Sequence, residues 1–231
     1  MKRVIKYCFL INFCFCFNFV FGQVNYKVTF SSQPKIEEKR CADTNTYHQL
    51  FVDETVQTGI EGYPSMPVKY VNFLIPPNTK VTTIAINGSL KQTLYLDYKI
   101  MPAQEPVPIS SNYDSIGFID ASKYSTLSVY PATLAEVVGD NYFRGAHLIT
   151  VAVYPCQYYP AADKLTLYEW IDITLNYTSN TKQVFIPHWT DDSKKMLEDI
   201  IVNKQTIEEY SNLESSTDTL KSSSTRGGNK E

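Results

Sequence analysis

The segment from residue 143 to residue 177 constrains the fold more than any other part of this chain. Large apolar and smaller residues alternate over His147–Tyr154, and a second alternating run follows over Leu165–Tyr177. A two-residue period rich in Val, Ile, Thr and Tyr is typical of β-strands with one buried face. The residues that share this face in the second run are Leu165, Leu167, Glu169, Ile171, Ile173 and Leu175. Two prolines interrupt the segment and Ala161–Asp163 supplies a turn, so the pattern predicts a β-hairpin.

Strand patterns recur along the chain between short runs of Pro, Gly and polar residues. The predicted strands are Val24–Phe30, Tyr47–Thr58, Val68–Ile75, Val81–Ile86 and Gln92–Ile100, with Asn87–Gly88 as the hairpin turn between the last two. Ser31–Asn45 and Gly59–Pro67 are expected to be a loop and a turn region. Ala132–Val138 is a strand or a short helix, and Val184–Ile186 could be a last strand.

The pattern changes near residue 190. Polar and acidic residues precede apolar residues at helical spacing, which predicts one amphipathic helix over Asp191–Tyr210. Ser211–Glu231 is rich in Ser, Thr and charge and is expected to be a flexible tail. The fold class predicted is all-β: an antiparallel β-sandwich over residues 23–189, one C-terminal helix over 190–210 and a tail over 211–231.

The first 22 residues have the composition of a signal peptide. A basic start with Lys2, Arg3 and Lys6 precedes an apolar run over Tyr7–Phe21, which is shorter than the roughly 20 residues a membrane span needs. Cleavage between Gly22 and Gln23 would give a secreted protein, periplasmic or extracellular, that is not bound to a membrane; an uncleaved anchor is the alternative.

Loss of the leader makes the chain more acidic. Lys and Arg fall from 21 to 18 against 24 Asp and Glu, so the formal charge changes from −3 to −6. An acidic domain has no electrostatic basis for binding nucleic acid. Nucleic acid is therefore not an expected partner.

The sequence offers few groups for catalysis. Cys156 and His147 are the one combination that resembles a thiol nucleophile with a base, and the surrounding residues match no peptidase signature. Their expected role is structural, so the chain is predicted not to be an enzyme. Cys41 and Cys156 could form a disulfide or remain two thiols. No Cys/His cluster has the spacing of metal ligands, and no cofactor or metal is expected.

Aromatic residues leave an alternative function open. A carbohydrate-binding module could stack sugars on side chains of the β-sandwich, and the candidates are Tyr142, Tyr158, Tyr159, Tyr168 and Trp170. Cross-strand aromatic packing is the structural explanation for the same residues. A structural surface module is a further alternative.

Several short motifs, taken in order, resemble the prodomain of gingipain-like secreted cysteine peptidases. The motifs are Glu61–Val68, which has Met66 where that family has Leu, then Tyr70–Ile75, Pro76–Pro77, Val81–Ile86, Arg144–Gly145, the strand that ends at Pro155, Tyr158–Pro160 and Leu165–Tyr168. Their order and spacing agree with such prodomains over about residues 24–205.

The resemblance implies a function. Such a prodomain keeps a caspase-like cysteine peptidase domain latent or helps it to fold, in cis as part of a precursor or in trans. It would lay a loop across the active-site cleft, and Pro102–Ser122 lies at the corresponding place. The gingipain loop presents Arg or Lys, whereas this one has neither; the candidate anchors are Asn112, Asp114, Phe118 and Asp120. Processing is expected at Arg226 or Lys221 in the tail.

Overall fold

The computed structural model describes residues 22–41, 44–103, 121–180 and 189–211, with the side chains of residues 121 and 122 left out. Antiparallel strands dominate this part of the chain. The strands are β1 (Gly22–Thr29), β2 (Lys35–Arg40), β3 (Thr46–Phe51), β4 (Val56–Gln57), β5 (Pro67–Leu74), β6 (Thr79–Tyr95), β7 (Ala135–Phe143), β8 (Ala146–Val153), β9 (Cys156–Tyr159) and β10 (Lys164–Ser179). The helices are α1 (Ala121–Thr126) and α2 (Asp191–Ile200), followed by a 3-10 turn at Lys204–Thr206, and residues 207–211 are again helical.

The strands form two sheets and a separate hairpin. In the first sheet β10 lies between β1 and β6 and also pairs with β9. The second sheet has the order β4-β5-β8-β7, and β2 pairs only with β3. All the strand pairs are antiparallel. The predicted all-β, antiparallel β-sandwich is therefore confirmed.

The main core lies between the two sheets. It is built from alternate residues of facing strands: Val24, Val28, Val71, Phe73, Ile149, Val151, Val153, Ile171, Ile173 and Leu175. Burial of each large aliphatic side chain contributes about 1.5–3 kcal/mol, so this layer is the main favourable term in folding. Along β10, the predicted inward residues are buried except Glu169, which is exposed beside a register shift.

The predicted hairpin over residues 147–177 is wrong in its pairing. β8 and β10 are strands as expected, but they belong to opposite sheets. β8 is buried on both faces and already pairs with β5 and β7, which leaves it no edge for β10. The partner of β10 is instead β9, and the turn at Ala161–Asp163 joins these two strands.

The predicted hairpin turn at Asn87–Gly88 is also wrong. Both residues lie inside β6, where Asn87 pairs with Asp172 and Gly88 with Ile171. A Cβ atom on Gly88 would lie 2.6 Å from Cδ1 of Leu134. The glycine therefore permits a close side-chain approach and does not form a turn.

The region before β5 has more strand than the sequence indicated. Ser31–Asn45 was expected to be a loop, yet it contains β2, whose residues are mostly exposed and charged. The expected strand Tyr47–Thr58 is divided into β3 and β4 around Glu54, which has a φ of 59°. Val184–Ile186 lies outside the described residues.

The predicted C-terminal helix is interrupted and not continuous: α2 ends at Ile200, and residues 207–211 are helical again after the 3-10 turn. Ile201 leaves the helix to form a parallel bridge with Asn72 on β5, and the Asn203 side chain bonds both main-chain groups of Leu74. These bonds to the sheet edge replace helical ones. None of the helices in the described ranges is long and apolar enough to cross a bilayer.

Helix α2 is fastened at its start to the turn between β7 and β8. Arg144 and Gly145 both have positive φ, as a two-residue type I′ turn requires. The Arg144 guanidinium donates to the Ser193 hydroxyl, and the Trp189 indole donates to the Arg144 carbonyl at 2.9 Å. Thr190 caps the helix by accepting from the Ser193 amide.

Candidate functional site

The two ends of the predicted inhibitory loop meet at one place on the sandwich. The incoming end, residues 99–103, passes between β3 and the turn at residues 61–65. On one side the His48 amide donates to the Lys99 carbonyl, and the Met101 amide donates to the His48 carbonyl, each at 2.8 Å. On the other side the Ala103 amide donates to the Tyr63 carbonyl at 2.8 Å, and the Gly62 amide donates to the Ala103 carbonyl at 3.1 Å. Main-chain bonds therefore hold the incoming end on both sides.

The turn at residues 61–65 belongs to the motif Glu61–Val68. Gly62 has a φ of 75°, which favours glycine, and a Cβ atom there would lie 2.9 Å from the Lys123 ammonium. Met66, which stands where the resembled family has Leu, is fully buried. The motif therefore supplies the main-chain groups that bond the loop ends.

The outgoing end returns to the same support through α1. The Lys123 ammonium donates to the Glu61 carbonyl at 3.0 Å and lies 5.4 Å from the centre of the Tyr63 ring. The Tyr124 hydroxyl donates to the Ile100 carbonyl at 2.8 Å. The two described ends of this loop thus lie on one support, which we call the loop base: residues 61–65, 99–103 and 123–124.

Beneath the loop base lies a second apolar cluster. Its fully or nearly fully buried members are Leu50, Met66, Ile100, Tyr124, Cys156, Tyr158, Leu165 and Leu167. Burial raises the pKa of the Tyr124 hydroxyl far above its ordinary value. The hydroxyl therefore remains a hydrogen-bond donor to Ile100 over the physiological pH range.

The candidate anchors of the inhibitory loop, Asn112, Asp114, Phe118 and Asp120, lie outside the described residues, as do the processing residues Lys221 and Arg226. At the other processing site, Gly22 and Gln23 are the first residues of β1 and pair with Tyr177 and Asn176. These assignments stay predictions.

No disulfide joins Cys41 and Cys156 within the part of the chain that the structure describes. Cys41 lies at the turn end of the β2–β3 hairpin, where its amide bonds the Asn45 carbonyl. Cys156 lies on β9 in the second apolar cluster, which the β2–β3 hairpin contacts near its opposite end, through Leu50 and Ile36. The disulfide alternative is therefore not supported, because Cys41 lies at the far end of the hairpin from the cluster that holds Cys156.

Cys156 and His147 do not form a catalytic pair. Burial raises the pKa of the Cys156 thiol, which keeps it protonated and unreactive. The His147 ring contacts Asp140 at 2.7 Å and stacks on Tyr142 at 4.7 Å between ring centres. Across the described ranges, no group of three or more His, Cys, Asp or Glu residues could hold a metal ion.

The aromatic residues suggested for sugar stacking do not share a surface. Tyr142 lies on β7 of one sheet, and Tyr168 and Trp170 lie on β10 of the other. Tyr158 is fully buried and its hydroxyl bonds Asp163. Lys164 covers the ring of Tyr159 at 3.9 Å. Packing and local contacts explain these residues.

Sequence reasoning missed the two side chains that fasten the outgoing end. No pattern in the sequence gives Lys123 or Tyr124 a role. Both fall in a Pro- and Ser-rich stretch without periodicity, so no local pattern marked them. The one usable signal was an aromatic residue in an otherwise polar stretch.

Comparisons with known proteins agree with this architecture. The family model described as Propeptide_C25 matches residues 21–217. The chain belongs to the Propeptide_C25 family. As a member of a propeptide family, it is a prodomain of the gingipain-like type and not a catalytic domain.

Two solved structures from Porphyromonas gingivalis share the fold of this C25 propeptide. A chain in the complex of the RgpB pro- and mature domains is 16% identical, with a TM-score of 0.62, over 80% of this chain and 92% of that one. A structure on the zymogenic latency of gingipain K is 19% identical, with a TM-score of 0.56, over 68% of this chain and 87% of that one. No curated protein sequence matches this propeptide significantly.

Proposed function

We propose that this C25 propeptide keeps a gingipain-like cysteine peptidase latent, and assists its folding, by laying the Pro102–Ser122 loop across the active-site cleft. The observation that carries the proposal is the family match over residues 21–217. The similarity to a pro- and mature-domain complex and to a structure of zymogenic latency supports a peptidase as the partner.

The geometry of the loop base supports the choice of this loop. Its incoming and outgoing ends are both tied to the turn at residues 61–65. A loop with fixed ends has less freedom to lose when it binds, so more of its contact energy appears as affinity. This property suits a segment that must occupy a cleft.

The loop chemistry favours a partner whose specificity pocket does not require a basic residue. Residues 102–122 contain no Lys or Arg. Of the nearest basic residues, Lys123 is engaged at the Glu61 carbonyl and Lys99 lies 5.9 Å from the Tyr124 ring centre. The anchor would then be one of Asn112, Asp114, Phe118 and Asp120.

The remaining parts of the proposal concern where and how the propeptide acts. Residues 1–22 would direct export and be removed before Gln23. The partner would have a caspase-like fold and would be joined to the propeptide in a precursor or be inhibited in trans. Cleavage at Arg226 or Lys221 would then separate the propeptide from a peptidase that follows it.

The experiment that tests the proposal compares the whole propeptide with a variant that lacks residues 110–120. The partner would be a gingipain-like cysteine peptidase encoded in frame with this chain or by a neighbouring gene. We expect the deletion to weaken inhibition at least tenfold while the circular dichroism spectrum of the sandwich is unchanged. Unchanged inhibition by a folded deletion variant would show that this loop is not inhibitory.

A further inference from the structure

The two ends of the loop are held by different kinds of bond. At the incoming end, Met101 and Ala103 are held through main-chain hydrogen bonds, which a side-chain substitution does not remove directly. At the outgoing end, two bonds across the loop base come from side chains, those of Lys123 and Tyr124. The outgoing end can therefore be loosened by single substitutions.

We propose that Lys123 and Tyr124 are positioning residues that hold the end of the inhibitory loop against its beginning, and that they set how strongly the propeptide inhibits. The inference deepens the proposed function and rests on it. Both residues act within the propeptide, so no contact between either side chain and the peptidase is required.

The contacts of Lys123 fit this role. Its ammonium reaches the Glu61 carbonyl across Gly62, and it also faces the ring of Tyr63. Any larger residue at position 62 would meet the Lys123 side chain within about 3 Å, since its ammonium and Cδ lie 2.9 and 3.0 Å from the place of a Cβ atom. The turn therefore leaves room for this lysine, and the lysine joins α1 to the turn that holds Ala103.

The contacts of Tyr124 hold α1 against residues 99–103, the incoming end of the loop. Its ring is 3% exposed and packs edge-on against Tyr158, with 6.5 Å between ring centres. Its hydroxyl reaches the fully buried Ile100, three residues before Ala103. The aromatic ring thus packs α1 against the core, and the hydroxyl sets the position of α1 against the incoming end of the loop.

The physical consequence is a smaller entropic cost of inhibition. Seventeen residues separate Ala103 from Ala121. If the outgoing end were loose, those residues would sample more conformations and binding would have to restrict them. Loss of either side-chain bond should therefore weaken inhibition while the fold of the sandwich remains.

The test uses two variants and two matched controls. Lys123→Met keeps the aliphatic stem and removes the charge, while Tyr124→Phe keeps the ring and removes the hydroxyl. We expect each to raise the inhibition constant about tenfold, which corresponds to about 1.4 kcal/mol, within the net range of one hydrogen bond. Lys123→Arg should restore inhibition, because it keeps a cationic donor.

The controls lose equivalent contacts away from the loop ends. Lys164→Met removes a cation that covers the Tyr159 ring, and Tyr210→Phe removes a buried hydroxyl that donates to the Ile75 carbonyl at 2.7 Å in a different apolar cluster. Both should leave the inhibition constant within about twofold of the original value even where Tyr210→Phe lowers the melting temperature. Equal loss of inhibition in Tyr210→Phe and Tyr124→Phe would overturn the inference, because general destabilisation would then explain both.

A second comparison separates failure of the inference from failure of the proposed function. If the propeptide that lacks residues 110–120 inhibits as well as the whole chain, the proposed function fails. If that deletion weakens inhibition but Lys123→Met and Tyr124→Phe do not, only the inference fails. We expect Lys123→Met to have no further effect in the deletion variant, because the two changes act through the same loop.

Discussion

Substitution of Asn203 should show how firmly the C-terminal segment is fixed to the sandwich. The Asn203 side chain is buried and accepts from the Leu74 amide at 2.9 Å. It donates to the Leu74 carbonyl at 2.7 Å and to the Thr206 hydroxyl at 2.9 Å. The side-chain amide of Asn203 therefore makes the two hydrogen bonds that a neighbouring strand would make with Leu74 at the edge of β5.

The expected magnitude follows from these three bonds. A hydrogen bond contributes about 0.5–1.5 kcal/mol net, and each buried polar group left without a partner costs about 1–3 kcal/mol. Asn203→Ala leaves both main-chain groups of the fully buried Leu74 without this partner. We expect the free energy of unfolding to fall by about 3 kcal/mol. In a domain of this size that corresponds to a melting temperature lower by roughly 6–12 °C.

Urea unfolding measures this difference, with Asn176→Ala as the matched control. Asn176 lies on the solvent-facing side of β10, and its side-chain amide bonds the Thr83 hydroxyl at 3.0 Å. Its loss should change the free energy of unfolding by no more than about 0.5 kcal/mol. If Asn203→Ala costs no more than this control, Asn203 does not fix the C-terminal segment and our reasoning is wrong.

Asn203→Asp adds a test with a defined pH dependence. The ionised carboxylate can still accept from the Leu74 amide but places its second oxygen against the Leu74 carbonyl. Burial and this contact raise the pKa of the new carboxyl group in the folded state. The variant should therefore gain stability as the pH falls through that pKa and lose it as the pH rises. A variant that is as stable as the original at neutral pH would contradict the assigned bond directions.

Three further predictions follow from the fold and the termini. Trypsin should cut at Arg226 or Lys221 well before Arg144, because the Arg144 guanidinium is bound at the start of α2; first cleavage at Arg144 would contradict this. Mass spectrometry of the exported protein should find Gln23 at the amino terminus, and an intact leader on a membrane-bound product would refute the signal peptide. Gly88→Ala should cost about 1 kcal/mol in urea unfolding, since the added methyl group meets Leu134 and the Tyr168 ring, whereas no measurable change would favour an open site.

The local character of most strands could be predicted from the sequence. The alternation in β10 identified Ile171, Ile173 and Leu175 as core residues, and all three are fully buried. Whether a segment forms a strand is indicated by the alternation of apolar and polar residues, and this alternation can be read from the segment itself. The motif at Glu61–Val68 was also informative, because its Gly and Pro residues mark the turn that supports the loop ends.

Pairing and sheet membership could not be predicted in the same way. The sequence places β8 and β10 close together, but β8 is apolar on both faces and belongs in the middle of its own sheet. Asn87–Gly88 is typical of a hairpin turn in sequence. The glycine is instead explained by the close approach of the Leu134 side chain, which is distant in sequence. These outcomes depend on tertiary packing, which overrides local preference.

The loop base shows the same limit for function. Nothing near Lys123 in the sequence indicates that its ammonium binds the Glu61 carbonyl, because the two residues are 62 positions apart. Likewise α2 stops at Ile200 because Ile201 finds a partner on β5, and the apolar periodicity continues past that point. A helix pattern does not reveal a competing sheet edge.

Latency of a cysteine peptidase bound by this propeptide is measured most directly by an activity titration. The enzyme would be a gingipain-like cysteine peptidase encoded in frame with this chain or by a neighbouring gene, titrated with the purified propeptide. We predict that peptide hydrolysis falls as propeptide is added and is abolished near one equivalent when the enzyme concentration exceeds the dissociation constant. Full activity in the presence of a large excess of folded propeptide would contradict the account.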